Sequence, residues 1–400
     1  MSSSFILLQG TASFFFAQLA NALQARGHGV QKINFCGGDV VYSGSCEKQD
    51  YVGSSADLAA WYSELFKRRG ATDVMLFGDC RPVHVPVHSV AEAHGVRVHV
   101  FEEGYVRPNW ITLEQFGVNG RSLLSRDPAW FNQHRDSIPP VPESRHTGYN
   151  LRERAYHDIR YRLANAVYAR RFPHYASHRP CNGALEYAGL AYGMAGASRR
   201  ERHAANVTST LLVQRAHYYL VPLQLNSDAQ VVHHSAFAGV MEFAATVLDS
   251  FARCAPSDTA LVFKSHPLDT GLIDHRRGVF DLARKLGVGH RVHFIKAGHL
   301  PTLLSHSRGV VVINSTVGLS ALHHDRPLIA LGAAIYDMPG MTWQGALDDF
   351  WTSGSSPDRE LYQTFLSHVI DQTQINGDFY TRSGIAMAVS GVMNRLERRR

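Results

Sequence analysis

Four hundred residues, 45% of them hydrophobic and 18% charged, describe a globular chain long enough for two domains with cores of their own. Forty Lys and Arg against 34 Asp and Glu leave a net charge of +6 and a pI near 9.1, which favours an anionic partner without choosing among nucleic acid, nucleotide sugar and anionic lipid. Cys36, Cys46, Cys80, Cys181 and Cys254 are odd in number and lack C-x-x-C spacing, which argues against a zinc site or a disulfide framework and suits a reducing cytoplasm.

The N-terminal SSSFILLQG has an apolar run too short for a bilayer span and neither a basic n-region nor a small-residue cleavage site, so no signal peptide is expected. No long apolar segment follows, and any membrane association is expected to be peripheral. Phe5 to Leu8 read as a strand that closes at Gln9 and Gly10. Helical periodicity from Phe14 to Arg26 stops at Gly27, and Val30 to Phe35 is a second strand ending in Gly37 and Gly38. A Rossmann-like half begins in this way, but the absence of G-x-G-x-x-G argues against a dinucleotide cofactor. Ser55 to Arg69 and Pro86 to His94 read as helices, Asp73 to Phe77 and Val96 to Phe101 as strands. The last strand exits through Glu102, Glu103 and Gly104 toward Tyr105, Arg107, Pro108 and Trp110.

From Pro128 to Thr210 the alternation of strand and helix gives way to helical stretches rich in Arg, Tyr and Ala. Arg152, Arg154, Arg160, Arg162, Arg170, Arg171 and Arg179 face only Glu153 and Asp158, with Tyr156, Ile159, Leu163, Val167 and Tyr168 interleaved. Two readings are open: a face suited to an anionic membrane surface, or a solvated basic helix whose apolar stripe packs on the body. A second α/β half starts at Tyr218 to Leu223, with a helix from Phe237 to Ala252 and strands at Leu261 to Lys264 and Val292 to Ile295. It then reaches GVVVINSTVGLSALHHDRPLIAL, where Val310 to Ile313 form a strand, Asn314, Ser315 and Thr316 follow, a helix begins at Gly318, and Pro327 to Leu331 form the next strand. The polar trio reads as an N-cap at an anion-binding helix start, or simply as an ordinary cap. A segment rich in Leu347, Phe350 and Trp351 comes next, and the tail from Leu361 reads as helical to Arg398, Arg399 and Arg400. The expected organisation is two Rossmann-like α/β domains, 1–127 and 211–345, with a helical basic insertion at 128–210 and a C-terminal helical segment at 346–400.

Ligands of doubly wound sheets sit at the carboxyl ends of strands, and five exits carry polar residues: Gln9/Gly10, Glu102/Glu103/Gly104, Gln224 to Gln230, Lys264 to Pro267, and Asn314 to Thr316. Lys264 and His266, two apart with Pro267 fixing the backbone behind them, are a pair able to hold a phosphate and stabilise a leaving group, or a polar strand end. One of Glu102 and Glu103 at a cleft would trade protons near neutrality, and solvated loop acids are the plainer reading. Asp228, between Asn226, Ser227 and the following helix, reads as a nucleophile or base, or as an N-cap. Together these exits suggest a two-domain enzyme with an anionic substrate in a central cleft.

VFEEGYVRPNWITLE with GVNGRS, VPLQLNSDAQVVHHS, LVFKSHPLD, VVINSTVGLSALHHDRPLIALG and AIYDMPGMTWQGALDDFW, in that order and with LLQGTASFFFAQLANALQARGHGVQKINFCGGD before them, resemble the KpsS-type capsule polysaccharide biosynthesis proteins. The resemblance implies a GT-B-like, metal-independent retaining β-Kdo glycosyltransferase with no cofactor. Its donor would be CMP-Kdo and its acceptor a phosphatidylglycerol or lysophosphatidylglycerol lipid, on which it starts the poly-Kdo linker of a capsule. A cytoplasmic protein at the anionic inner-membrane surface, beside a KpsC-type transferase and the capsule export machinery, is implied as well.

Carried onto this chain, the resemblance implies that Lys264, His266 and Pro267 with Asn314, Ser315 and Thr316 bind CMP-Kdo, with Gln224 beside them, and that His266 assists departure of CMP. Asp228 matches the aspartate proposed as nucleophile in KpsC-type relatives, although Gln230 departs from their Asp-Ala-Ser. The Glu102/Glu103 pair would supply the acid/base, which of the two being open, and Gln9, Gly10 and Arg107 would lie on the acceptor side. Another CMP-sugar donor such as sialic acid, and a non-catalytic scaffold of the export assembly, are the competing readings. Nucleic-acid binding has no recognised module behind it.

Overall fold

The computed structural model describes residues 2–177, 189, 196–226 and 228–398. Arg179, Cys181, Ser227, Arg399 and Arg400 lie outside the described residues. The strands in chain order are β1 (Ser4–Leu7), β2 (Gly29–Asn34), β3 (Glu47–Asp50), β4 (Asp73–Phe77), β5 (Arg97–Glu103), β6 (Trp110–Gln115), β7 (His217–Pro222), β8 (Thr259–Lys264), β9 (Val292–Ile295), β10 (Gly309–Val312), β11 (Leu328–Ala330) and β12 (Gln374–Asn376). Backbone packing groups the chain into two units, Met1–Leu123 with Pro139–His178 and Ser367–Arg400, and Leu124–Ile138 with Arg179–Leu366.

Continuous apolar runs such as Val74 to Phe77 suit strands covered on both faces, and the first unit is built that way. Its sheet has the order β12-β6-β5-β4-β1-β2-β3, with β3 to β5 parallel around a central β1, the order of a Rossmann half. Helices Phe15–Ala25 and Arg382–Arg398 cover one face, where Phe15 meets Phe101 and Phe379 edge-on at ring distances of 5.2 and 5.0 Å. Helices Leu58–Arg69 and Val87–Ala93 cover the other, around the fully buried Tyr62. The second unit repeats the scheme with five parallel strands in the order β11-β10-β7-β8-β9 around Phe251, Tyr219 and Trp351, whose indole N–H donates to Ser250 Oγ at 2.8 Å.

Three features differ from the sequence reading. Trp110–Gln115 is a strand that returns antiparallel to β5, so Glu102 and Glu103 lie inside β5, opposite Thr112 and Ile111, rather than in the turn beyond it. The tail is not wholly helical: between helices Arg359–Thr373 and Arg382–Arg398, Gln374–Asn376 pairs antiparallel with β6. In the middle of the chain, helices Pro128–His134, Leu151–Val167 and Ala197–Val213 do form, and residues 138–150 form no helix or strand.

Helix Leu151–Val167 seats on the short helix Gly37–Val41 through two glycines. A Cβ at Gly37 would stand 2.1 Å from the Ala164 carbonyl oxygen, and one at Gly38 2.4 Å from the Tyr161 ring. The closeness lets Gly38 N–H reach Asn165 Oδ1 at 2.7 Å, Tyr42 Oη reach His157 Nδ1 at 2.9 Å and Cys36 Sγ reach Tyr161 Oη at 2.9 Å.

At the start of β4, Asp73 is 1% exposed, and it accepts bonds from Arg97 Nε and Nη2 and from His99 Nε2, each at 2.8 Å. Burial alone would raise its pKa, but the bonds from His99, Arg97 and Thr72 outweigh burial and hold the carboxyl well below the usual range. Such a group adds stability that is complete above its unfolded pKa of about 3.9 and is lost as pH falls toward the folded value. Asp73→Asn is expected to cost about 2 kcal/mol at neutral pH, read as a lower urea midpoint, with a deficit that shrinks below about pH 4.

Candidate functional site

In the second unit the order of strands reverses between β7 and β10, the point at which a doubly wound sheet forms its crevice at the carboxyl ends of the strands. Both strand exits bring amides to it. Gln224 Nε2 donates to Asn314 Oδ1 at 3.2 Å, and Asn314 Nδ2 donates to the carbonyls of Gln230 and His234 at 2.9 and 3.1 Å. Gln224 is buried, and its Oε1 has no hydrogen-bond partner among the described residues. Asp228 caps the five-residue helix Ala229–His233 through Oδ1, which accepts from Gln230 N–H at 3.0 Å, while Oδ2 stands 3.5 Å from Gln224 Nε2. The capping alternative is therefore realised, and it occupies one of the two carboxylate oxygens.

Lys264 ends β8, next to β7, at 8% exposure. Its ammonium forms no hydrogen bond or ion pair among the described residues, and burial lowers its pKa against a weaker opposing pull from Glu201. Ser265 N–H donates to the Ile295 carbonyl at the end of β9 and Ser265 Oγ to Asp269 Oδ2 at 2.6 Å, which pins the loop. His266, half-buried, accepts the Leu268 N–H on Nδ1 at 3.1 Å, an arrangement that leaves the neutral ring's proton on Nε2. Pro267 is exposed.

The N-cap position before the helix after β10 is Thr316, whose side chain makes no capping bond, so the expected side-chain cap does not form; Ser315 Oγ instead accepts the Val317 N–H at 3.2 Å in a local turn. The helix that follows, Val317–His323, is only seven residues long. Tyr336 Oη donates to the Ser315 carbonyl at 2.6 Å and stands 2.2 Å from where a Gly318 Cβ would be, so Gly318 answers to packing against the tyrosine.

In the first unit the two acids part company, as neighbours on a strand do. Glu103 Oε1 accepts from Tyr380 Oη at 2.9 Å and pairs with Arg154 at 3.3 Å, and the Arg154 guanidinium lies 5.0 Å from the Tyr380 ring centroid. Glu102 accepts the Glu103 N–H at 3.0 Å, and its Oε2 lies 3.5 Å from where a Gly78 Cβ would stand at the exit of β4. Gln9 is 1% exposed: its amide nitrogen contacts Asp39 Oδ2 and Tyr175 Oη at 3.2 Å, and its oxygen accepts from Arg81 at 3.2 Å. Arg81 also donates to the Gly10 carbonyl at 2.8 Å, bridging β1 to β4 where that sheet reverses. Gly10 makes room for the Phe16 ring, 2.9 Å from its absent Cβ, and Arg107 is exposed with Nε donating to the Gly104 carbonyl at 3.2 Å. Gln9 and Gly10 thus face the interior here. Arg81 escaped the sequence reading although it follows the exit of Asp73 to Phe77, which the same strand-end rule would have flagged.

Residues 72–380 match the family model for capsule polysaccharide biosynthesis proteins. The chain is also 34% identical to the capsule polysaccharide export protein KpsS of Escherichia coli over 382 residues, 94% of this chain and 96% of that protein. The chain belongs to the capsule polysaccharide biosynthesis family, with the KpsS-type proteins. The capsule polysaccharide modification protein LipB of Neisseria meningitidis serogroup A is 34% identical over 391 residues, 95% of this chain and 92% of that one. The solved β-Kdo 2,7 transferase of Thermosulfurimonas dismutans KpsC overlays 98% of this chain and 100% of its own with a TM-score of 0.46 and 12% identity. The stretch that matches the capsule polysaccharide biosynthesis model contains Glu102, Glu103, Asp228, Lys264, His266 and Asn314, and excludes Gln9 and Gly10.

A buried ammonium without a counter-ion costs folding free energy. Lys264→Met, which keeps the stem and removes the charge, is expected to raise the melting temperature by about 2–4 °C, measured by calorimetry.

Proposed function

We propose that this KpsS-type protein is a GT-B-like retaining glycosyltransferase that moves β-Kdo from CMP-Kdo to a phosphatidylglycerol-type lipid and so starts the poly-Kdo linker of a capsule. The observation that supports the reading is the buried Lys264 at the end of β8, next to β7, which forms no ion pair among the described residues; an anionic ligand there would offset its desolvation. Membership of the capsule polysaccharide biosynthesis family supports it.

On this reading Lys264 holds the cytidylate phosphate, and Ser315 and Thr316 flank it. The free oxygen of Gln224 accepts a hydroxyl or amino proton of the donor. Asp228 Oδ2 attacks the anomeric carbon as the bond to the phosphate oxygen breaks. CMP leaves with that electron pair, aided by His266, and a glycosyl ester remains. The acceptor hydroxyl then attacks the same carbon, a carboxylate of the Glu102/Glu103 pair takes its proton, and Asp228 is released; two inversions give retention. Glu103 pairs with Arg154 and Tyr380, and Glu102 accepts the Glu103 N–H, so either carboxylate is a candidate for this role. Lys264 supplies the positive charge at the phosphate, so turnover is expected to survive EDTA.

Purified protein with CMP-Kdo and a synthetic lysophosphatidylglycerol should yield a Kdo-lipid adduct by mass spectrometry, and donor competition with CMP-sialic acid should favour Kdo. Absence of product with either donor removes the reading. Asparagine caps a helix about as well as aspartate, so Asp228→Asn should melt like wild type while transfer drops roughly a thousandfold.

CMP binding requires the charged form of Lys264, whose folded pKa is lowered, so affinity is present below that pKa and lost as pH rises through it. Calorimetric titration across the alkaline range should show the decline beginning earlier than an ordinary lysine would allow. One observation favours a non-catalytic scaffold: Asp228 already has a structural duty as a cap. Failure of CMP to raise the melting temperature would support that alternative.

A further inference from the structure

Helix Leu151–Val167 wears its polarity inside out. The side turned to the protein carries His157, Tyr161 and Asn165, each hydrogen-bonded to the segment around Gly37–Val41. The side turned to water carries Tyr156, Ile159, Leu163 and Val167, exposed by 60, 43, 63 and 77%. Their spacing of three, four and four residues puts them on one stripe, about 17 Å long at 1.5 Å per residue. Arg152 and Arg170 bracket the stripe; both are exposed and form no hydrogen bond or ion pair among the described residues. The nearer Arg160 and Arg162 are already engaged, the first over the Phe14 and Tyr42 rings and the second with Asp158.

An interior helix would bury such a stripe, and an ordinary surface helix would not have one. A straight apolar row with a free guanidinium at each end matches a surface that is apolar beneath and negatively charged above, which is the layering of an anionic bilayer. The net charge of +6 on the whole chain favours the same occupant. We propose that this face docks the protein on an anionic lipid surface, with Arg152 and Arg170 at headgroup phosphates and the four apolar side chains at the level where the acyl chains begin. It rests on the proposed lipid acceptor only in explaining how a soluble donor and a bilayer-held acceptor would meet.

Flotation of the full chain with mixed phosphatidylglycerol and phosphatidylcholine vesicles, against pure phosphatidylcholine vesicles, tests it. The mixed vesicles should bind the protein. Ile159→Glu with Leu163→Glu, and separately Arg152→Glu with Arg170→Glu, should weaken binding about tenfold or more at an unchanged melting temperature. Both double variants should keep full transfer to a short-chain, water-soluble acceptor and lose it in step with binding on vesicles. Wild-type vesicle binding by the double variants, equal binding to both vesicle types, or a change confined to self-association in sedimentation would overturn the proposal; the last would assign the face to a second copy. If vesicles bind as stated but no acceptor is glycosylated, the docking face stands and the transferase reading falls.

Discussion

A lysine sits almost out of water at the end of β8 and forms no ion pair among the described residues, and the proposed reading of the second unit depends on that fact. Stability alone would replace it with an apolar residue or give it a carboxylate. A positive charge held at low exposure acts on its surroundings with little screening by solvent. The neighbouring amides obey the same logic. Gln224 turns its N–H groups to Asn314 and Asp228 and leaves its oxygen without a partner among the described residues, so the β7 exit keeps a fixed acceptor.

The two sheets share a strand order but finish their central crevices differently. In the first unit, Arg81 spans the reversal point and ties Gln9 to the Gly10 carbonyl. Beneath it Cys36, pushed up to about 12 by burial and by Asp39, remains a thiol. Gln9 and Gly10 are thus taken up by partners of their own, although Asp79 Oδ2 at the β4 exit has no hydrogen bond among the described residues. The second unit leaves Gln224 Oε1 without a partner among the described residues in the equivalent place. One topology thus carries two different polar arrangements, and the residues that follow the strands, rather than the strands themselves, make the difference.

Much of this was legible in the chain because the strands are dense β-branched and aromatic runs. Asp73–Phe77 and Val292–Ile295 match their expected bounds, and the exits of β7, β8 and β10 carry the polar groups that strand-end logic singles out. The misses share a cause in long-range pairing. Gln374–Asn376 is three residues long and becomes a strand only because β6 lies beside it, while β6 itself follows a turn of Gly, Pro and Asn that hides its register. Gln9 looked like an open strand end, and only Asp39, Tyr175 and Arg81, distant in sequence, enclose it. Adjacent letters cannot show that Glu102 and Glu103 answer to different neighbours, since that follows from the pleat.

The bare backbones at Gly37 and Gly38 set the rotational phase of a helix far downstream. With Ala164 and Tyr161 pressed against them, helix Leu151–Val167 has one seat, and a single methyl on either glycine would roll or lift the whole cylinder. The outward row of side chains can therefore drift over evolutionary time without disturbing its mounting. Loss of one hydrogen-sized gap near the start of the chain would re-aim all of them at once.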